Sequence, residues 1–172
     1  MSGRTASRVY LSLGSNVGLR WERLWAGIGA LEELPGTRRL AVSRIYQTNP
    51  WGYLEQTPFL NCAVELETEL EPEELLERLQ GIERLSGRKR DGVCWGPREL
   101  DIDILIYGDR LVNTERLTIP HPRLLERRFA LLPLSELAPE LEIPGQGLTA
   151  RQAVAHCSDQ GEVELYQHGV EA

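Results

Sequence analysis

The segment that most constrains the fold is LDIDILIY, residues 100–107. Side chains alternate across a strand. Asp101 and Asp103 therefore share one face, roughly 6.6 Å apart along the chain, and Ile102, Ile104 and Ile106 share the other. A strand with one apolar and one charged face needs a sheet buried on one side and open to water or a ligand on the other. Aspartate is depleted in strands, and two like charges so close repel each other. A positive partner is expected: arginine, or a hard divalent cation such as Mg²⁺, which takes one or two carboxylates plus substrate phosphates. A pair of ions about 3.5–4 Å apart suits such carboxylates in two-metal sites. The alternative is a solvated sheet face.

Three more strands and two helices are legible upstream. Residues 8–13 alternate, with Val9, Leu11 and Leu13 on one face, and Gly-Ser-Asn at 14–16 ends the run. Trp21, Leu24, Trp25, Ile28 and Leu31 recur at helical spacing until Pro35-Gly36. Residues 38–46 read as a second strand and 59–67 as a third. Glu71-Pro72 opens a second helix whose buried stripe is Leu75, Leu79 and Ile82. The order strand, helix, strand, strand, helix, strand predicts an α+β fold. It matches the ferredoxin-like βαββαβ pattern: an antiparallel sheet with helices on one face, here extended by a C-terminal segment. Neither repeat nor linker interrupts the 172 residues, so a single domain is expected. The tail after about residue 145 carries no readable motif.

Between the second helix and the acidic strand lies SGRKRDGVCWGPR, residues 86–98, with three glycines and no periodicity. Loops of this length are usually functional or disordered. Arg84, Arg88, Lys89, Arg90 and Arg98 face a single acid, Asp91, in a chain whose net charge is −7. All basic residues but Lys89 are arginine, so any phosphate clamp here is built from planar, bidentate donors. Arginines beside metal-binding carboxylates suit a polyphosphate; a merely solvated loop is the alternative. Trp95 is either an apolar closing element for this loop or ordinary packing at the strand's start.

On the third strand Phe59 and Asn61 fall on the polar face, opposite Leu60, Cys62, Val64 and Leu66. An aromatic beside an amide suits a flat heterocycle, the ring stacking and the amide reading donors and acceptors. Phe59 packed beneath a loop is the competing reading. His121 is fixed between Pro120 and Pro122 with Arg116, Arg123, Arg127 and Arg128 around it; it either touches a nucleotide or is an exposed turn histidine. His156 and His168 carry no motif.

Acidic net charge argues against nucleic-acid or anionic-membrane partners. Cys62, Cys94 and Cys157 form no CxxC pair, which excludes the common zinc spacings and fits reduced thiols in a cytoplasmic protein. No apolar run approaches a membrane span. GSN stands in neither a GxGxxG nor a GxxxxGK[ST] context.

The segments LSLGSN (11–16), YQTNPWG (46–52), PFLNCAV (58–64), CWGPRELDIDIL (94–105) and LTIPHPRLLERRFALLPLSELAPE (117–140) together resemble the 6-hydroxymethyl-7,8-dihydropterin pyrophosphokinase family of folate biosynthesis. The resemblance covers roughly residues 8–145. It implies transfer of pyrophosphate from ATP to the hydroxymethyl group of the dihydropterin, giving AMP, by a monomer acting on small molecules. It implies that Asp101 and Asp103 hold two Mg²⁺ ions. Phe59 and Phe129 would sandwich the pterin, with Thr48, Asn49, Trp51, Asn61 and Trp95 also on the pterin side. Arg88, Arg90 and Arg98 would bind phosphates. Gln80, Glu83, Ile104, Arg116, Thr118, His121 and Arg127 would line the ATP side.

Three departures stand out. Cys94 occupies a place where the family often has arginine, Asp91 adds negative charge to the same loop, and Trp51 replaces a smaller apolar residue. Two rivals make different predictions. A two-metal nucleotidyltransferase would release pyrophosphate rather than AMP. A non-enzymatic ferredoxin-like ligand-binding module would not need the acidic pair.

Overall fold

The computed structural model describes residues 4–48, 57–86 and 99–167. The first strand, β1 (Ser7–Ser15), is followed by α1 (Arg20–Glu32), β2 (Thr37–Val42), β3 (Tyr46–Thr48), β4 (Phe59–Thr68), α2 (Pro72–Leu85) and β5 (Asp101–Tyr107). The ribbon β6 (Val112–Asn113) and β7 (Thr118–Ile119) leads through a 3₁₀ turn at Leu124–Glu126 to α3 (Arg128–Leu137). The ribbon β8 (Glu142–Ile143) and β9 (Leu148–Thr149), the short α4 (Ala150–Ala155) and β10 (Val163–Leu165) complete the chain.

The α+β expectation holds. Every pairing in the main sheet is antiparallel, in the order β10-β3-β4-β1-β5, with β2 also on β4. The strand expected over 38–46 is instead two strands that share the same edge of β4. The break falls at Ser43, whose hydroxyl accepts the Ala63 N–H at 2.8 Å while its own N–H donates to the Ala63 carbonyl at 2.9 Å. A side-chain oxygen thus replaces a backbone carbonyl in the ladder, and the chain is released to turn.

One side of the sheet is the core that alternation anticipates. Val9, Leu11 and Leu13 of β1, Leu60, Cys62, Val64 and Leu66 of β4, and Ile102 and Ile104 of β5 meet Leu24, Ile28 and Leu31 of α1 and Leu75, Leu79 and Ile82 of α2. Gly27 lets α1 come close: a Cβ there would stand 2.8 Å from the Leu100 side chain. Trp25, at helical spacing with this stripe, remains 39% exposed, and Trp21 packs at the cluster's margin. The start of α2 is closed by a capping box between Glu71 and Glu74, with Pro72 at the first position.

Two expectations about the sheet's faces need correction. The register of β5 against β1 shifts between Tyr10 and Leu11, which pair with Ile106 and Ile104, leaving Leu105 as the extra residue. That bulge turns Ile106 away from Ile102 and Ile104. Ile106 joins a second cluster with Tyr10, Leu105, Leu124, Ala130, Leu131 and Leu134. Consequently helices do not lie on one face only. α3 packs over the apolar end that the bulge creates on the second face, and α4 packs on it, through Ala150 and Ala153 of the same cluster. The tail, unreadable in sequence, supplies β10 at the sheet edge.

Candidate functional site

The same second face carries the polar end of the sheet, and register places the site residues in order. Asp101 lies opposite Gly14, Gly14 opposite Asn61, and Asn61 opposite Tyr46. Asp103 lies opposite Ser12, and Phe59 opposite Thr48. Residues paired directly across a ladder share a face, so Asp101, Asp103, Asn61, Phe59 and Thr48 all look the same way. Neighbouring strands are about 4.8 Å apart, which sets Asp101 and Asn61 roughly 10 Å from each other, two strands away.

At one end of this row are the carboxylates. Both aspartates are half-buried. Arg127, at the start of α3, brings Nη1 within 3.6 Å of Asp103 Oδ2 and holds its guanidinium 5.6 Å from the centre of the Phe129 ring. Burial pushes the Arg127 pKa down, and the Asp103 charge opposes that shift. Among the described residues no group of three or more His, Cys, Asp or Glu is placed to hold a metal ion. Two half-buried carboxylates on one face still match Mg²⁺, which usually takes only one or two protein carboxylates and completes its shell with phosphates and water.

The bulge also docks His121 beside them. The His121 N–H donates to the carbonyl of Leu105 at 2.9 Å, and His121 Nδ1 accepts the Arg123 N–H at 3.1 Å. With Nδ1 an acceptor, the ring proton of neutral His121 is on Nε2. Burial pushes its pKa down to about 4, helped by Arg127 and Arg123 and opposed by Asp101. At neutral pH His121 is thus an uncharged donor beside the acids.

At the other end Asn61 Nδ2 donates to Thr48 Oγ1 at 2.7 Å, with both residues buried. Asn61 is seated over Gly14, where a Cβ would come within 2.6 Å of Asn61 Oδ1 and 3.5 Å of the Phe59 ring. The amide is therefore fixed, with one polar atom pinned and the other still able to accept. Phe59 and Phe129 are both half-buried.

The remaining expected residues are placed differently from one another. Glu83 is 4% exposed and lies beneath the strand, its Oε2 accepting the Ile102 N–H at 3.0 Å. It supports the backbone between the two aspartates. The Ile104 side chain is in the first core cluster, on the face opposite Asp101 and Asp103. Arg116 pairs with Glu73 at 3.5 Å and Glu77 at 3.2 Å, and Gln80 follows these along the same side of α2. Thr118 is half-buried on β7. Arg88, Arg90, Trp95 and Arg98, together with Lys89, Asp91 and Cys94, lie outside the described residues, as do Asn49, Trp51 and His168. Cys62 and Cys157 are free and buried, and burial pushes the Cys62 thiol up to about 12. Among the described residues no helix is long and apolar enough to cross a membrane.

Sequence reasoning passed over two contributors to the face. Gly14, expected to end the first strand, instead lies within β1, which runs to Ser15, and a glycine inside a strand marks a close approach. Glu136 had none: it reaches from α3 to accept from Arg44 N at 2.8 Å, Arg44 Nε at 3.0 Å and the Tyr46 hydroxyl, tying α3 to β3.

Known proteins resemble this chain in sequence and in fold. The 7,8-dihydro-6-hydroxymethylpterin-pyrophosphokinase (HPPK) family matches residues 10–139. A 2-amino-4-hydroxy-6-hydroxymethyldihydropteridine pyrophosphokinase of Pseudomonas aeruginosa is 44% identical over 154 residues, covering 90% of this chain and 94% of its own. The protein of the same name from Methylorubrum extorquens is 45% identical over 155 residues, covering 90% and 96%. In fold, the chain superposes on an HPPK-DHPS crystal structure from Plasmodium falciparum with a TM-score of 0.71 at 17% identity, spanning 88% of this chain but 44% of that one. With the family match running from within β1 through α3, and relatives this similar matched nearly end to end, the chain belongs to the 7,8-dihydro-6-hydroxymethylpterin-pyrophosphokinase family.

Proposed function

We propose that this chain transfers pyrophosphate from ATP to the hydroxymethyl group of 6-hydroxymethyl-7,8-dihydropterin, releasing AMP in folate biosynthesis. The observation that carries the reading is the row Asp101–Gly14–Asn61–Tyr46. It puts a carboxylate end and a heterocycle-reading end on one face, roughly 10 Å apart, so that a pterin and the phosphates of ATP can lie side by side on it.

Each end has a chemical task. Asn61 and Thr48, hydrogen-bonded to each other, present an amide acceptor and a hydroxyl donor to the pterin edge, with Phe59 and Phe129 for its ring faces. Asp101 and Asp103 would hold the Mg²⁺ ions. When bound, the metal neutralises phosphate charge and fixes the phosphates in line for displacement. Arg127 and the neutral His121 flank the phosphates, and Arg88, Arg90 and Arg98 carry the family's phosphate-binding role, with Trp95 closing the loop. Gln80, Arg116 and Thr118 serve the nucleotide side. Asn49 and Trp51 belong to the pterin side. Glu83 acts through the Ile102 N–H instead of touching ATP. Transfer of this kind needs alignment and charge stabilisation more than covalent help.

The strand order supports a ferredoxin-like βαββαβ core, with β2 and β3 together as its second strand, β4 as its third and residues 163–165 as an added edge. A single domain working as a cytoplasmic monomer on two small molecules fits the net charge of −7. The test is incubation with ATP and the hydroxymethyl-dihydropterin, with and without Mg²⁺. AMP appearing only with Mg²⁺ and the pterin supports the reading. Release of free pyrophosphate with a nucleotidyl product would overturn it in favour of a nucleotidyltransferase.

A further inference from the structure

The family match ends at residue 139, yet the chain beyond it returns to the pterin end of the sheet. Val163 lies opposite Thr48 and Leu165 opposite Tyr46 on the outer edge of β3, and Tyr166 N–H donates to the Ile45 carbonyl at 2.9 Å. β3 is three residues long. Without β10 it would be a bare edge, and short edge segments open easily. With β10, Thr48 is flanked on both sides, by Phe59 and by Val163.

Tyr166 continues the same connection through its ring, 6.0 Å from Trp21 and 5.7 Å from the Arg20 guanidinium. Arg20 Nη1 in turn donates to Gln47 Oε1 at 3.2 Å and to the Pro58 carbonyl at 2.9 Å. Gln47 immediately precedes Thr48, and Pro58 immediately precedes Phe59. One guanidinium therefore spans the residues that lead into both pterin-side positions, and the C-terminal aromatic ring backs it. Asn16 Nδ2 adds a hold on the Thr57 carbonyl at 3.1 Å.

We propose that β10 and Tyr166, acting through Arg20, are positioning elements that set Thr48 and Phe59 at the spacing the pterin ring requires. This rests on the pterin reading above. A brace of this kind settles the ordering cost before the ligand arrives, which is the general source of affinity from preorganisation. Its influence is one-sided. Asp101 and Asp103 sit on β5, separated from β3 by β4 and β1.

The test measures binding of 6-hydroxymethyl-7,8-dihydropterin and, separately, of a non-hydrolysable ATP analogue with Mg²⁺. The proteins are the unaltered chain, Tyr166→Ala, Tyr166→Phe, Arg20→Lys and a chain stopped after Gly161. Tyr166→Ala, Arg20→Lys and the shortened chain should bind the pterin roughly tenfold more weakly, with KM for the pterin raised, while ATP affinity stays within about twofold. Tyr166→Phe keeps the ring and should bind like the unaltered chain. Arg20→Lys keeps the charge but loses the longer side chain whose Nη1 reaches both acceptors and the planar group over the Tyr166 ring, so a selective loss there isolates the bridging role. Equal losses for both ligands, or unchanged pterin affinity in Arg20→Lys and Tyr166→Ala, would overturn the proposal. An unaltered chain that binds no pterin would instead remove the functional reading on which it stands.

Discussion

Asn61 lies so close above Gly14 that a Cβ on residue 14 would stand 2.6 Å from Asn61 Oδ1. Gly14 is buried in the middle of the polar face, between Asp101 on one neighbouring strand and Asn61 on the other. Asn61 cannot simply swing aside, because its Nδ2 is committed to Thr48 Oγ1 at 2.7 Å. Gly14→Ala should therefore break that hydrogen bond or displace the amide. An unsatisfied buried polar group costs about 1–3 kcal/mol, so pterin affinity should fall roughly tenfold or more. ATP affinity should change little. Calorimetric titration with each ligand checks this, and unchanged pterin binding would mean that Asn61 has another acceptable position.

Asp101 and Asp103 are expected to matter for turnover and hardly at all for folding. Both are half-buried, and the Arg127–Asp103 contact is 3.6 Å, a partly exposed pair of the kind worth about 0–1 kcal/mol. Asp101→Asn and Asp103→Asn should each lower Mg²⁺-dependent AMP formation by at least 10²–10³-fold, roughly the scale of one lost electrostatic contact in a transition state. Melting temperatures should stay near that of the unaltered chain. Full activity in either variant would leave the carboxylates as a solvated sheet face.

Glu83 separates two roles that a sequence alone cannot. Its Oε2 accepts the N–H of Ile102, the residue between the two aspartates. Glu83→Ala leaves that buried donor without its acceptor, at about 1–3 kcal/mol, and loosens the strand that aims both carboxylates. Glu83→Gln retains an oxygen for the same N–H. Thermal melting and AMP formation should both drop in the alanine variant and largely return in the glutamine variant. If glutamine is as damaging as alanine, the negative charge rather than the hydrogen bond is what the site uses.

Most of what alternation and helical spacing can encode was legible. Period two put Asp101 and Asp103 on one face and Phe59 with Asn61 on the same side of β4; period 3.6 gave the Leu75, Leu79 and Ile82 stripe. Departures from these periods were not legible, because their causes lie in other parts of the chain. LIY at 105–107 has no glycine or proline to announce the bulge at Leu105, and only the register against β1 reveals it. Ser43 ends β2 by a side-chain bond to a residue twenty positions away. β10 is three residues whose partner is remote in sequence. Glu83 did carry a signal, since an acid four residues beyond Leu79 falls on the buried stripe of α2.

His121 should make stability depend on pH in a defined window. Burial holds its pKa at about 4, below the ordinary 6.5; Arg127 and Arg123 push the same way and Asp101 opposes them. As pH falls below 6.5 the unfolded chain takes up a proton that the folded chain refuses until about 4. The unfolded state then binds more protons, so stability declines across that window and the contribution levels off below it. His121→Gln, which keeps a polar side chain without a titrating ring, should lose this part of the decline. Urea unfolding of both proteins at several pH values between 7 and 4 measures the difference. The variant's stability should fall less steeply on acidification, while other carboxylates titrate equally in both proteins and cancel. Parallel curves would show that His121 protonates in the folded state at its ordinary pKa, which would remove the uncharged donor from the proposed phosphate side.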